Sequence, residues 1–201
     1  MRRTRLLLLL PLALGLVAIG AWLLRAAPAL PSTFDSNRAY ADVLAQTDLG
    51  PRPVGSPAHD KVIVYIRDQL EGAGWTVEVQ RSQMMGQPIQ NIVAHRGESA
   101  PVIILGAHYD SRLLADRDPD PAKRSQPVPG ANDGASGVAI LLELARSLPA
   151  DIVPLELAFF DAEDNGNIPG WDWILGSQAF VAALETKPEA MVLVDMIGDT
   201  H

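Results

Sequence analysis

Acidic and imidazole side chains close three apolar runs of this 201-residue chain. His108 and Asp110 end PVIILGAHYD, Glu163 and Asp164 end LELAFFDAED, and Asp195 ends VLVD. Asp133 sits in the glycine-rich GANDGASG. Each apolar run reads as a buried strand, and in open α/β sheets ligands bind outside the carboxyl ends of the strands. So many carboxylates at one edge repel one another unless a cation offsets them. One imidazole among carboxylates, in a chain without cysteine, suits Zn2+, with Mn2+ and Co2+ less favoured. In the pair Glu163–Asp164 one carboxylate can ligate while its neighbour takes a proton from metal-activated water; spacing leaves their order open. Taken singly, Asp133 reads as a turn former and His108 as a core histidine. Their coincidence at one edge favours a site. His59 and His95 lie outside these runs and read as ordinary structural residues.

The elements that must position these groups alternate along the chain. A short helix is expected over Asn37–Thr47, and GPRPVGSPAHD forms a rigid turn before a helix with Val62, Ile66 and Leu70 on one face. TVEVQ alternates as a half-buried strand, and QNIVAHRG is a second. The runs ending at Asp110, Asp164 and Asp195 are central strands. Between the first two come a charged, proline-rich loop (Ser111–Pro129), the glycine-rich turn Gly130–Gly137, and a helix through Val138, Leu141, Leu142, Ala145 and Leu148. A helix over Ser177–Glu185 precedes the last strand. The pattern predicts an α/β three-layer sandwich, with a central, mostly parallel mixed sheet flanked by helices. A covering helix normally follows such a last strand, so the chain is expected to be the N-terminal part of a longer enzyme.

Composition bounds the partners. Apolar residues make up 48% and charged residues 20%, which is globular. Arg2, Arg3, Arg5 and Arg25 flank the N-terminal apolar run, and the remainder carries 12 basic against 24 acidic residues. Nucleic acid needs a basic footprint, so it is excluded as a partner. The uncharged run Leu6–Leu24 is close to the ~20 residues that span a bilayer. Residues 1–25 are expected to be a transmembrane anchor, or a signal segment cleaved near Ala27-Pro28-Ala29, with 26–36 a linker and 37–201 the catalytic domain. The domain is then placed outside the cytoplasm, with the membrane a partner through the N-terminal helix.

GAHYDS, PGANDGASGVAILLELA, FFDAED with GSQAF, and VLVDMIGD occur in this order. Together with GPRPVGSPAH they make the chain resemble the superfamily of zinc aminopeptidases and glutaminyl cyclases (peptidase family M28). The resemblance implies that His108 and Asp195 hold one zinc, that Asp133 bridges to a second, and that Asp164 binds the second. It makes Asp110 the carboxylate that orients His108, and Glu163 the general base and acid. Many relatives have Glu where Asp164 stands. The superfamily also uses a histidine well beyond Asp195, and among these 201 residues only His201 follows it, too close to serve.

Two enzymes share this pattern. An aminopeptidase, hydrolysing the first peptide bond of a peptide substrate with two zincs, is the leading expectation. A glutaminyl-peptide cyclotransferase with a single zinc is the alternative, in which Asp133 and Asp164 ligate and Asp195 joins a hydrogen-bond network. The stretch Asn165–Leu175, carrying Trp171 and Trp173, resembles the cyclases and makes both tryptophans candidate pocket residues. A non-catalytic binding ectodomain is the third reading, and the retained Glu163 speaks against it.

Overall fold

In the computed structural model, the structure describes residues 34–149 and 153–198. The anchor or signal expected over 1–25, and most of the linker, lie outside the described residues. Among the described residues no helix is long and apolar enough to cross a membrane.

Among the described residues, five strands form one sheet in the order β1-β2-β4-β3-β5, with β1 Thr76–Met84, β2 Gln87–His95, β3 Ile103–His108, β4 Leu155–Phe160 and β5 Ala190–Leu193. β3 pairs parallel with both β4 and β5, whereas β2 pairs antiparallel with β1 and with β4. The mixed sheet expected from the sequence is present, with its parallel part confined to the half that carries the acids. Met85-Gly86 joins β1 to β2, with positive φ at both residues, and so short a link imposes antiparallel pairing. β5 was expected to be central. Among the described residues it lies at the edge, and all four of its residues are exposed.

Period-two alternation along the strands builds two faces. Ile92, Ala94, Leu157 and Phe159 point to one side. There they pack with Val62, Ile66 and Leu70 of α2 (Pro57–Gly72) and with Val138, Leu141 and Leu142 of α3 (Gly137–Ser147). Val93, Ala158 and Phe160 point to the other side and meet Phe180 of α4 (Leu175–Ala183). Helices on both faces of the sheet give the three layers.

Caps and ion pairs fix the helices. Ser56 caps α2 by accepting from His59 N at 3.1 Å, with proline in the first turn. α1 (Ser36–Asp48) starts inside the expected linker, because Asp35 accepts from Asn37 N and Arg38 N and so caps it. α1 is tied to α3 by Arg38 on the fully buried Glu143 carboxylate (2.6 and 2.7 Å) and by Arg146 on Asp42 (2.6 and 3.0 Å). Loss of one partner from such a pair leaves an uncompensated buried charge, so these contacts fix the placement of α3.

A candidate metal centre at the strand ends

β3 and β4 run parallel with His108 level with Phe160. The residues that follow each strand therefore emerge side by side. Asp133 reaches the same edge from the turn Ala131–Ser136 that leads into α3. That turn is not helical at Asp133 (φ −81°, ψ 108°) or Gly134 (φ 91°, ψ −64°). A Cβ at Gly134 would lie 2.7 Å from the Asp110 carbonyl oxygen and 3.3 Å from His108 Cε1. Glycine is therefore needed there twice, for its left-handed φ and for the close approach to His108.

His108 Nε2 lies 2.9 Å from Asp133 Oδ1 and 3.4 Å from Asp195 Oδ1. It is buried, yet neither carboxylate has the alignment of a hydrogen bond with it. One ligand atom from each of the three residues falls within 4.8 Å of the others. A buried imidazole nitrogen without a hydrogen bond, facing two carboxylate oxygens, fits a divalent cation with nitrogen and oxygen ligands. Behind the ring, Nδ1 faces Asp110 Oδ1 at 3.3 Å, an arrangement that fixes the tautomer and ring orientation of a ligating histidine. Burial works against a charge on His108, but the carboxylates of Asp110, Asp133 and Asp195 outweigh it and hold its pKa well above the ordinary value. Asp195, by contrast, is held below the carboxylate range by its pairing with His108.

Glu163 and Asp164 sit on the turn after β4, where the backbone N–H of Glu163 donates to Asp110 Oδ1 at 3.0 Å and that of Asp164 to Asp110 Oδ2 at 3.4 Å. Both are partly buried, and burial raises both pKa values. Asp110, Asp133 and Asp195 add to the rise at Glu163. At Asp164 the pKa reaches about 7, through burial and the charges of Asp133, Asp110 and Glu163. Asp164 stands apart from the three-residue group, its Oδ1 3.8 Å from Arg112 Nη1.

The two tryptophans part company. Trp173 lines a cavity of about 350 Å³ with Arg112, Asp133 and Asp164. Its indole lies against the Arg112 guanidinium (5.3 Å) and leaves no room for a Cβ at Gly166. Trp171 packs instead on the small core of Ile89, Ala162 and Leu175, so of the two candidate pocket residues only Trp173 lines this cavity. A second cavity has a volume of about 260 Å³. Phe160, Ile174, Val181 and Leu193 line it together with His108, Glu163 and Asp195.

Residues 91–201 match the family model described as peptidase family M28. The chain belongs to peptidase family M28. It is 28% identical over 194 residues to the glutaminyl-peptide cyclotransferase of Gloydius blomhoffii, covering 76% of this chain and 51% of that protein. The structure of Tannerella forsythia glutaminyl cyclase superposes with a TM-score of 0.75 at 37% identity, over 83% of this chain and 63% of that one. A Zn-dependent exopeptidase from Parabacteroides distasonis gives 0.76 at 33% identity, over 85% and 64%. The chain thus spans about half the length (51%) of that curated relative. The family and its fold are those the M28 resemblance implied; peptidases and cyclases both stand among the similar proteins.

Two contributors to the site had no local signal. Arg52, in the proline-rich turn, is wholly buried. It donates to the carbonyls of Tyr109 (3.2 Å), Pro129 (3.1 Å) and Gly130 (2.6 Å), joining the end of β3 to the glycine-rich turn. Burial lowers its pKa to about 10, and Asp110 opposes the fall. His59, expected to be an ordinary helix residue, is buried against Asp161.

Proposed function

We propose that this protein is a zinc-dependent enzyme acting on the N-terminal residue of peptides, and that its reaction is cyclisation of N-terminal glutamine. The observation that carries the reading is the shared cavity of Trp173, Asp133 and Asp164, the two carboxylates that hold the single zinc in the cyclase reading. The similarity to glutaminyl cyclases from Tannerella and Gloydius supports it. This reverses the order expected from the motifs, which placed the aminopeptidase first.

Bound at this edge, zinc would polarise the side-chain amide of the substrate glutamine. The chain's own residues do the rest. Glu163, its pKa raised by burial, takes a proton from the α-amine as that nitrogen attacks the side-chain amide carbon. The new C–N bond closes the ring, the bond to the amide nitrogen breaks, and Glu163 returns the proton to the departing ammonia. Trp173 lines the cavity with Asp133 and Asp164 and offers the substrate an aromatic contact there. Asp110 holds the Glu163 backbone in place through the 3.0 Å hydrogen bond.

The convergence of His108, Asp133 and Asp195 favours a second reading, a di-zinc aminopeptidase in which His108, Asp195, Asp133 and Asp164 would together hold the two ions. Zinc stoichiometry and turnover of aminoacyl-anilides separate the two. One zinc per chain and no anilide hydrolysis are expected; two zincs with free amine released would overturn the cyclase reading. Metal bound without turnover of either substrate class would instead make the fold a binding module. The N-terminal run keeps its proposed role as a membrane anchor or export signal, with the site outside the cytoplasm.

A further inference from the structure

Behind the acid turn lies a buried pair that the reaction above leaves unused. His59 Nε2 is 2.8 Å from Asp161 Oδ1, with the two side chains 1% and 0% exposed. The imidazole of His59 stacks on the Tyr109 ring at 5.2 Å and 28°, and Tyr109 is the residue between His108 and Asp110. Nδ1 of His59 is buried without a hydrogen-bond partner. The polar capacity of the ring is therefore directed at Asp161, and the network assigns the shared proton to Nε2. An apolar side chain would fill this space as well, so packing alone does not call for histidine.

Asp161 is the first residue after β4. Its carboxylate also accepts from Gln90 N at 2.9 Å and from Ala162 N at 2.8 Å. Ala162 has φ +50°, a left-handed conformation that residues with a Cβ adopt rarely and hold only where the surroundings impose it. That corner redirects the chain from the strand so that the next two backbone N–H groups meet Asp110. The turn is thus gripped from the metal side by Asp110 and from the core side by Asp161, and His59 is the side-chain donor to that second grip.

We infer that His59, acting through Asp161, is a positioning residue that holds the left-handed corner at Ala162 and so aims Glu163 at the substrate. Removing the imidazole leaves a buried carboxylate one donor short, and the corner relaxes. A displacement of about 1 Å at a proton carrier costs on the order of 10²-fold in rate. This rests on the proposed role of Glu163 as proton carrier, so the test needs a readout that does not depend on turnover.

That readout is amide hydrogen exchange at Ala162 and Glu163, compared with the β2 and β4 amides, in the zinc-supplemented protein. For His59→Leu the expected result is a fold-sized increase in exchange confined to the corner. With it, kcat should fall by on the order of 10²-fold at unchanged KM, for whichever substrate the wild type turns over. His59→Gln keeps a side-chain donor and should restore most of both. Should His59→Leu not fold, Asp161→Asn, which keeps the shape and loses the charge, must show the same local exchange. Wild-type exchange at the corner with wild-type kcat would overturn the inference. So would faster exchange spread evenly over the sheet with kcat and KM altered together, which marks a merely structural pair. A wild type that turns over neither substrate class refutes the proposed function, and the exchange result then decides the positioning role alone.

Discussion

Asp110 Oδ1 lies 3.3 Å from His108 Nδ1 and accepts the backbone N–H of Glu163 at 3.0 Å. One buried carboxylate thus sets both the ring that faces Asp133 and Asp195 and the turn that carries the proton acceptor. Asp110→Asn keeps the shape but replaces an acceptor with a donor. The expected outcome is a loss of about 10–100-fold in metal affinity or activity, measured by competition with a chromophoric chelator and by steady-state kinetics.

Glu163 touches the reacting atoms in both enzyme readings and ligates metal in neither. Glu163→Gln is therefore expected to lower kcat by about 10²–10⁴-fold while zinc affinity stays at the wild-type value. A parallel loss of zinc would place Glu163 among the ligands instead.

The tryptophans should behave differently on substitution. Trp173 lines the cavity with Asp133 and Asp164, so Trp173→Ala is expected to change kcat and KM with little effect on the unfolding midpoint. Trp171 packs on Ile89, Ala162 and Leu175. Trp171→Ala is expected to cost about 1–3 kcal/mol of stability, read by chemical denaturation, with KM retained.

Glu143 offers a pH test of the fold away from the site. Its pKa is lowered by the hydrogen bond from Arg38, against the opposing effect of burial. In the unfolded chain the carboxylate binds protons at a higher pH than in the folded protein. Its contribution is thus fully present above the unfolded pKa and is lost as pH falls through the folded one. The stability gap between wild type and Glu143→Gln should be largest near neutral pH and shrink once pH drops below the ordinary glutamate range. A gap that is flat with pH would contradict the ion pair.

The parts of the molecule that were legible in the sequence are those written in local patterns. The runs 103–108 and 155–160 are apolar apart from His108 and Glu156, and the glycine-rich turn announces Asp133 by its spacing. The strand ends then bring His108, Glu163 and Asp164 together by topology. What escaped was contact between distant segments. His59 and Asp161 are 102 residues apart, and no local feature of the helix signals a carboxylate beneath it. Arg52 sits in a turn where arginine is usually solvated, and only the fold shows the end of β3 and the glycine-rich turn closing around it. Trp171 and Trp173 share a loop and a residue type. Their division between core and cavity follows from the path of the backbone through Asn167 and Ile174, both at positive φ, which sequence does not reveal.

The most direct measurement is the product formed from a short peptide with N-terminal glutamine and the zinc-supplemented protein, read by mass spectrometry together with an ammonia assay. The account predicts ammonia in equal amount to a pyroglutamyl peptide of otherwise intact sequence, with both abolished by Glu163→Gln. Free glutamine and a shortened peptide, without ammonia, would contradict it.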